Sequence, residues 1–306
     1  MPTLGALGGT SNKGFLPART LPGTGLNPSA PGASAKALQS AYGYTTDGIY
    51  WINVNSQSTP VYCIMNPAVA GGGWMMIMKA TTGNTFQYSS PHWTTATTLN
   101  PGDTTRNNAD AKFNTFNYTP GTDLLAIFPD SPNQGGSISV SGYNWTWYQP
   151  SFGSASGFNS GQAISALQLF GGGQPTTGGN SGSGGQNWGG TGWYIQRADT
   201  YAGWNNAGAG PNIFSSQTDI HFYGFNYSNY GNSNANVRWG FGWNENSEGY
   251  WPSNNVAYIG TNDVTGGIGL NYAGTPGTTA SAGDYYNCCQ NVTGLNRSMR
   301  VEMYIR

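Results

Sequence analysis

Residues 45–80 read TTDGIYWINVNSQSTPVYCIMNPAVAGGGWMMIMKA, and this stretch decides how the rest of the chain is understood. Residues 48–53, 60–65 and 74–80 are strand candidates, each short and bounded by Gly, Pro or Asn. The run WMMIMKA is apolar up to Lys79, as expected of a central strand covered on both faces. Three glycines precede Trp74, where the backbone must turn tightly to enter that strand.

The surrounding composition agrees with many short strands. The chain has 306 residues, 48 of them Gly, with 14% aromatic and only 8% charged residues. Glycine supplies the turns and disfavours helices, so the expected class is α+β and β-rich, with long Gly/Asn-rich loops. Eleven Lys and Arg stand against 12 Asp and Glu, which argues against a basic groove for nucleic acid. No apolar run reaches 18 residues and the first 20 lack a leader-like apolar core, so neither membrane insertion nor export is expected. Three cysteines, Cys63, Cys288 and Cys289, are too few for a disulfide framework and wrongly spaced for zinc. A bond from Cys63 to Cys288 or Cys289, or free thiols, both remain open.

Residues 1–38 are rich in Pro, Gly, Ala, Ser and Thr without a sustained period, and cannot bury enough apolar surface to fold alone. They are read as an extended anchoring arm pinned by a partner surface, and residues 39–306 as one domain. SAKALQSAY (residues 34–42) predicts a short helix leading into it. GQAISALQLF (residues 161–170) fits either helix or strand, and residues 171–192 read as a long internal loop. DLLAIF, YNWTWYQ, GWYIQR, DIHFYGFNY, VRWGFGW and the closing RSMRVEMYIR are further strand candidates. In the last, Met299, Val301, Met303 and Ile305 alternate with Arg300, Glu302, Tyr304 and Arg306, which predicts one buried and one wet face.

In order, DGIYWI, VYCIMN and GGGWMMIMK resemble the start of the fibrinogen C-terminal-like domain. WNEN (243–246), TNDVTGGIG (261–269), AGDY (282–285) and the closing VEMYIR resemble its intelectin branch, the X-type lectins. The cysteine that would precede VYC is missing, and NDVTGG lacks the histidine that helps hold the ion in intelectins, so their sugar specificity is not carried over. The residue palette is also similar to the fibrinogen-like virion proteins of marine bacteriophages, especially those infecting cyanobacteria. The resemblance implies a virion structural protein, a capsid decoration, fibre or tail component, assembled in the host cytoplasm and released by lysis. Residues 1–38 would contact other capsid or tail proteins, in an assembly of several copies. The displayed domain would attach to a host-surface glycan or carry no ligand; a free-standing calcium-dependent lectin is the alternative.

Calcium takes six to eight oxygens from carboxylates, amides and backbone carbonyls. Residues 244–284 offer Asp263 and Asp284 first, then Asn262 and Glu245, with Gly266, Gly267 and Gly269 expected to turn backbone carbonyls inward. Tyr250, Trp251, Tyr258 and Tyr272, with Asn262, are the candidate sugar platform, because ring faces stack on pyranose C–H groups while Asn bonds hydroxyls. The two histidines, His92 and His221, sit in no recognised nucleophile context, and nothing fixes Glu245 and Asp263 as a glycosidase pair. The chain is not read as an enzyme.

Overall fold

The computed structural model describes residues 23–130, 146–149, 162–171, 176–178, 220–228, 235–243, 264–272, 278–286 and 297–306. Two antiparallel sheets dominate, with few helices. The first contains β1 (Gly48–Val54), β2 (Gln57–Ile64), β3 (Trp74–Ala80), the short β4 (Ala111–Lys112), β5 (Leu124–Ile127) and β6 (Thr146–Gln149). The second runs through β7 (Thr176–Gly178), β8 (Ile220–Ser228), β9 (Ala235–Trp243), β10 (Val264–Tyr272), β11 (Thr278–Tyr286) and β12 (Arg297–Ser298). The closing strand β13 (Val301–Ile305) returns to the first sheet and lies between β3 and β5.

Local chemistry accounts for the first three strands. Asn55 and Ser56 both take positive φ, +50° and +63°, in the two-residue turn between β1 and β2. Such turns match the right-handed twist of the strands they join. Asp47 Oδ1 accepts from the amides of Met65 and Asn66 at 2.7 and 2.8 Å, tying the end of β2 to the start of β1. Gly71, Gly72 and Gly73 have φ of +85°, +68° and +76°, three successive left-handed residues. A Cβ on Gly72 would lie 2.6 Å from the Met65 carbonyl oxygen, so both conformation and space demand glycine there. The turn delivers Trp74 into a fully buried site, where its indole N–H donates to the Val69 carbonyl at 3.0 Å.

A bulge sets how β3, apolar but for Lys79, divides its residues between two covered faces. Met78 pairs with Met303, yet the next pair is Met76 with Tyr304, leaving Ile77 as an extra residue. Met75, Ile77, Met78 and Ala80 therefore face the main core, while Trp74 and Met76 join Tyr304, Leu125, Ile127 and Phe113 on the opposite face. Both faces of β3 are covered. The same holds for β13, and here the alternation was misleading. Val301, Met303 and Ile305 face the main core as anticipated, but Glu302 and Tyr304 on the other face are also buried.

The main core lies between the sheets. Phe225, Trp239, Ile268 and Ala282 of the second sheet join it with Phe116 of α2 (Asn114–Tyr118) and Leu169 and Phe170 of α3 (Ala166–Gly171). Residues 166–171 thus settle as helix. A chain of ring contacts, Trp93–Phe170 at 4.9 Å, Phe170–Phe225 at 5.8 Å and Phe225–Trp239 at 5.4 Å, crosses the interior. Glycine lets β9 and β10 approach closely: a Cβ on Gly240 would meet the Gly266 carbonyl oxygen at 2.1 Å.

The helix α1 (Ala35–Tyr42) begins where Ser34 Oγ accepts the Ala37 amide at 3.0 Å and ends at Gly43, with φ +68°. Ala35 and Leu38 are fully buried in the main core. Residues 23–32 lie along β1: Trp51 N–H donates to the Gly25 carbonyl, and the Gly32 and Asn53 amides donate to the Trp51 and Gly32 carbonyls. The break drawn at residue 38 therefore falls inside a helix that belongs to the packed domain. Among the described residues no helix is long and apolar enough to cross a membrane.

Candidate functional site

Of the residues singled out for calcium or sugar, Glu245, Tyr250, Trp251, Tyr258, Asn262 and Asp263 lie outside the described residues. Tyr272 and Asp284 belong to strands rather than loops, at opposite ends of the β10–β11 hairpin. Tyr272 pairs with Thr278, whereas Asp284 pairs with Gly266 and, on its other side, with Arg297. Six residue steps separate these pairs, about 20 Å of strand. Gly266, Gly267 and Gly269 are also strand residues, and the β9–β10 contact accounts for Gly267. Residues 264–272 and 278–286 are strands, and the glycines expected to turn carbonyls inward lie within one of them, where Gly267 serves close strand packing. Cys63 is a buried free thiol, and burial pushes its ionisation far up.

Among the described residues the densest convergence of charge lies elsewhere, where a loop folds over the β3–β13 pair. Lys79 Nζ donates to Asp103 Oδ2 at 3.0 Å, to the Thr105 carbonyl at 2.7 Å and to Asn107 Oδ1. Arg106 Nε donates to Glu302 Oε2 at 2.6 Å, and Arg300 donates to Glu302 Oε1 at 2.8 Å and to the Arg106 carbonyl. Tyr304 O–H adds a bond to Glu302 Oε2 at 2.8 Å. Asp130 lies 3.4 Å from Arg300 at the exposed rim. Three cations and three carboxylates balance here, and Lys79 and Glu302 are fully buried.

Electrostatics follow from this geometry. Burial opposes ionisation of Asp103, but the hydrogen bonds from Lys79 and Asn107 outweigh it and hold the carboxyl below its ordinary range. Two charges stacked in register on adjacent strands would be costly alone, and the loop supplies both with counter-charge. Asp103, Thr105 and Asn107 present hard oxygen ligands, the type calcium takes, to the Lys79 ammonium. Among the described residues no three His, Cys, Asp or Glu side chains gather as a metal group.

A second buried cation sits nearby. Lys112 Nζ donates to the Thr95 carbonyl and stands 4.6 Å from the Phe116 ring centre; burial lowers it to about 8. Lys112 and Lys79 thus tie residues 95–107 to the sheet through loop carbonyls. On the other side, Arg306 grips the glycine turn, donating to the Ala70 and Gly72 carbonyls at 2.6 and 3.0 Å. It pairs with Asp123 at 2.8 Å and lies over the Trp74 ring at 4.2 Å. The glycine turn and the closing Tyr-x-Arg, two segments that carried the resemblance, are thus in direct contact.

The sequence pattern did not single out PGDTTRNNAD (residues 101–110). The signal was present in Lys79, the single charge of an apolar strand, and in Asp103, Thr105 and Asn107 at alternate positions. No family model matches the sequence, and comparison with curated proteins finds no significant relative.

Proposed function

We propose that this chain is a bacteriophage virion structural protein, a capsid decoration, fibre or tail component, whose fibrinogen-like domain faces outward while the residues before it anchor it. The observation that best supports this is how the chain enters the domain. Residues 25–32 are stitched to β1, and Leu26 in this segment and Ile49 on β1 are the two most exposed large apolar side chains among the described residues. A segment preceding Gly23 would leave from a fixed apolar edge, as an anchor on a neighbouring protein requires. The fibrinogen-like reading draws further support from the order β1–β2–β3 along the sheet and from the Arg306 contact with the glycine turn. Recognition of a host-surface glycan by the displayed face belongs to the same proposal, since a chain with few charges must rely on stacking and hydrogen bonds.

The test is deletion of residues 1–22, which spares everything stitched to β1. The shortened protein should keep the full-length far-UV spectrum and melting profile but be missing from purified particles. Normal occupancy of the shortened protein on particles would overturn the anchoring role.

A further inference from the structure

We infer that residues 103–107 form a cation-binding loop whose resident cation is the ammonium of Lys79. Three oxygens from alternate residues converge on Lys79 Nζ: Asp103 Oδ2 at 3.0 Å, the Thr105 carbonyl at 2.7 Å, and Asn107 Oδ1. A carboxylate, a backbone carbonyl and an amide oxygen at positions i, i+2 and i+4 are what a hard metal ion takes from a single loop. The loop also orients its own ligands. Thr105 Oγ1 donates to Asp103 Oδ1 at 3.1 Å, and Asn107 Nδ2 donates to Asp103 Oδ2 at 3.0 Å.

The cation itself comes from another element. Lys79 lies on β3, fully buried, and its three N–H donors match the three acceptors. The seated ammonium is what distinguishes this loop from a solvated polar turn: its oxygens are organised around a positive charge that the protein carries in its own chain. The loop's conformation then depends on positive charge at that point and not on its being lysine. Lys79→Met keeps the aliphatic stem but vacates the volume of the ammonium. The Asp103 carboxylate and two further oxygens are left facing one another, a ligand set for calcium or sodium.

The experiment uses the full chain. In excess chelator and sodium-free buffer, Lys79→Met should melt about 5 °C or more below the wild type. Calcium or sodium should restore at least half of that loss, beyond any shift the same salt gives the wild type, and tetramethylammonium should not. Combining Lys79→Met with Asp103→Asn should abolish the recovery. The inference is overturned if Lys79→Met melts with the wild type in chelator. It is equally overturned if salt shifts both proteins alike, or if recovery survives Asp103→Asn. Should Lys79→Met fail to fold without metal, refolding yield with and without calcium replaces the melt, and equal yields overturn it.

Discussion

Lys79 and Glu302 stand opposite each other on the β3–β13 ladder, both fully buried, and their charges turn to different partners. Lys79 reaches Asp103, Thr105 and Asn107, while Glu302 is held by Arg106, Arg300 and Tyr304. Because 106 lies between 105 and 107, one short loop is fastened alternately to two strands. The loop covers the sheet face, and the paired strands fix where the loop can go.

Removing the carboxylate from this network should be severe. Glu302→Gln leaves Arg106 and Arg300 without their shared counter-ion in a buried site, a change that costs about 3–5 kcal/mol. Urea titration followed by tryptophan fluorescence should show the midpoint fall with the slope little changed. Asp130→Asn, at a carboxylate whose side chain is 58% exposed, should stay within about 0.5 kcal/mol. Equal effects of the two substitutions would refute the assignment of the network to Glu302.

The glycine turn admits a controlled comparison. Gly72→Ala must hold φ +68° and place Cβ 2.6 Å from a backbone oxygen, whereas Gly102→Ala meets nothing within 4 Å. The first should cost about 2 kcal/mol or more and the second less than about 0.5 kcal/mol, read from chemical denaturation midpoints. The Gly72 change should also alter Trp74 emission, since the turn positions that indole.

Stability should rise in mild alkali because of Lys112. Burial lowers its ammonium in the folded chain to about 8, below the ordinary lysine value of 10.5. Between those two values the unfolded chain binds more protons, so stability increases with pH across that window; below about 8 both states are charged and the contribution is constant. Wild-type protein should gain melting temperature between pH 8 and 10 relative to Lys112→Met, which removes the titrating group. Parallel curves for the two proteins would show that the Lys112 ammonium is not lowered.

The proposals that residues 244–284 bind calcium and a glycan can be tested separately. Elemental analysis of purified protein should find a divalent ion, and chelation should lower the wild-type melting temperature through loss of an ion bound only by the folded state. Trp251→Ala should reduce binding to host-surface polysaccharide with an unchanged melt. No metal together with an unaltered melt in chelator would exclude calcium, and normal host attachment by a stable Trp251→Ala protein would remove the glycan platform.

The anchoring boundary can be located by a second truncation. Deleting residues 1–38 removes Ala35 and Leu38 from the core along with the Ser34 cap, and should lower stability by several kcal/mol. Deletion of residues 1–22 should not. Circular dichroism melts of the two proteins distinguish a domain that starts near Gly23 from one that starts at residue 39.

What the sequence by itself determined is local. The strands β1 to β3, the glycine turn before Trp74 and a short helix within residues 34–42 were all legible, because steric limits on φ and helix propensity act over a few residues. The face of Glu302 and Tyr304 was read as wet, because alternation reports only that a strand has two faces. Its burial comes from Arg106, 196 residues earlier, and from Phe113. The bulge at Ile77 was equally hidden, since it exists only against Met303 and Tyr304. Lys79 announced itself as a charge in an apolar strand, but the oxygens that receive it belong to a loop that composition cannot distinguish from any other polar turn. Tertiary structure decided these features because burying a charge is tolerable only where distant segments return to neutralise it, and that return is a property of the whole fold.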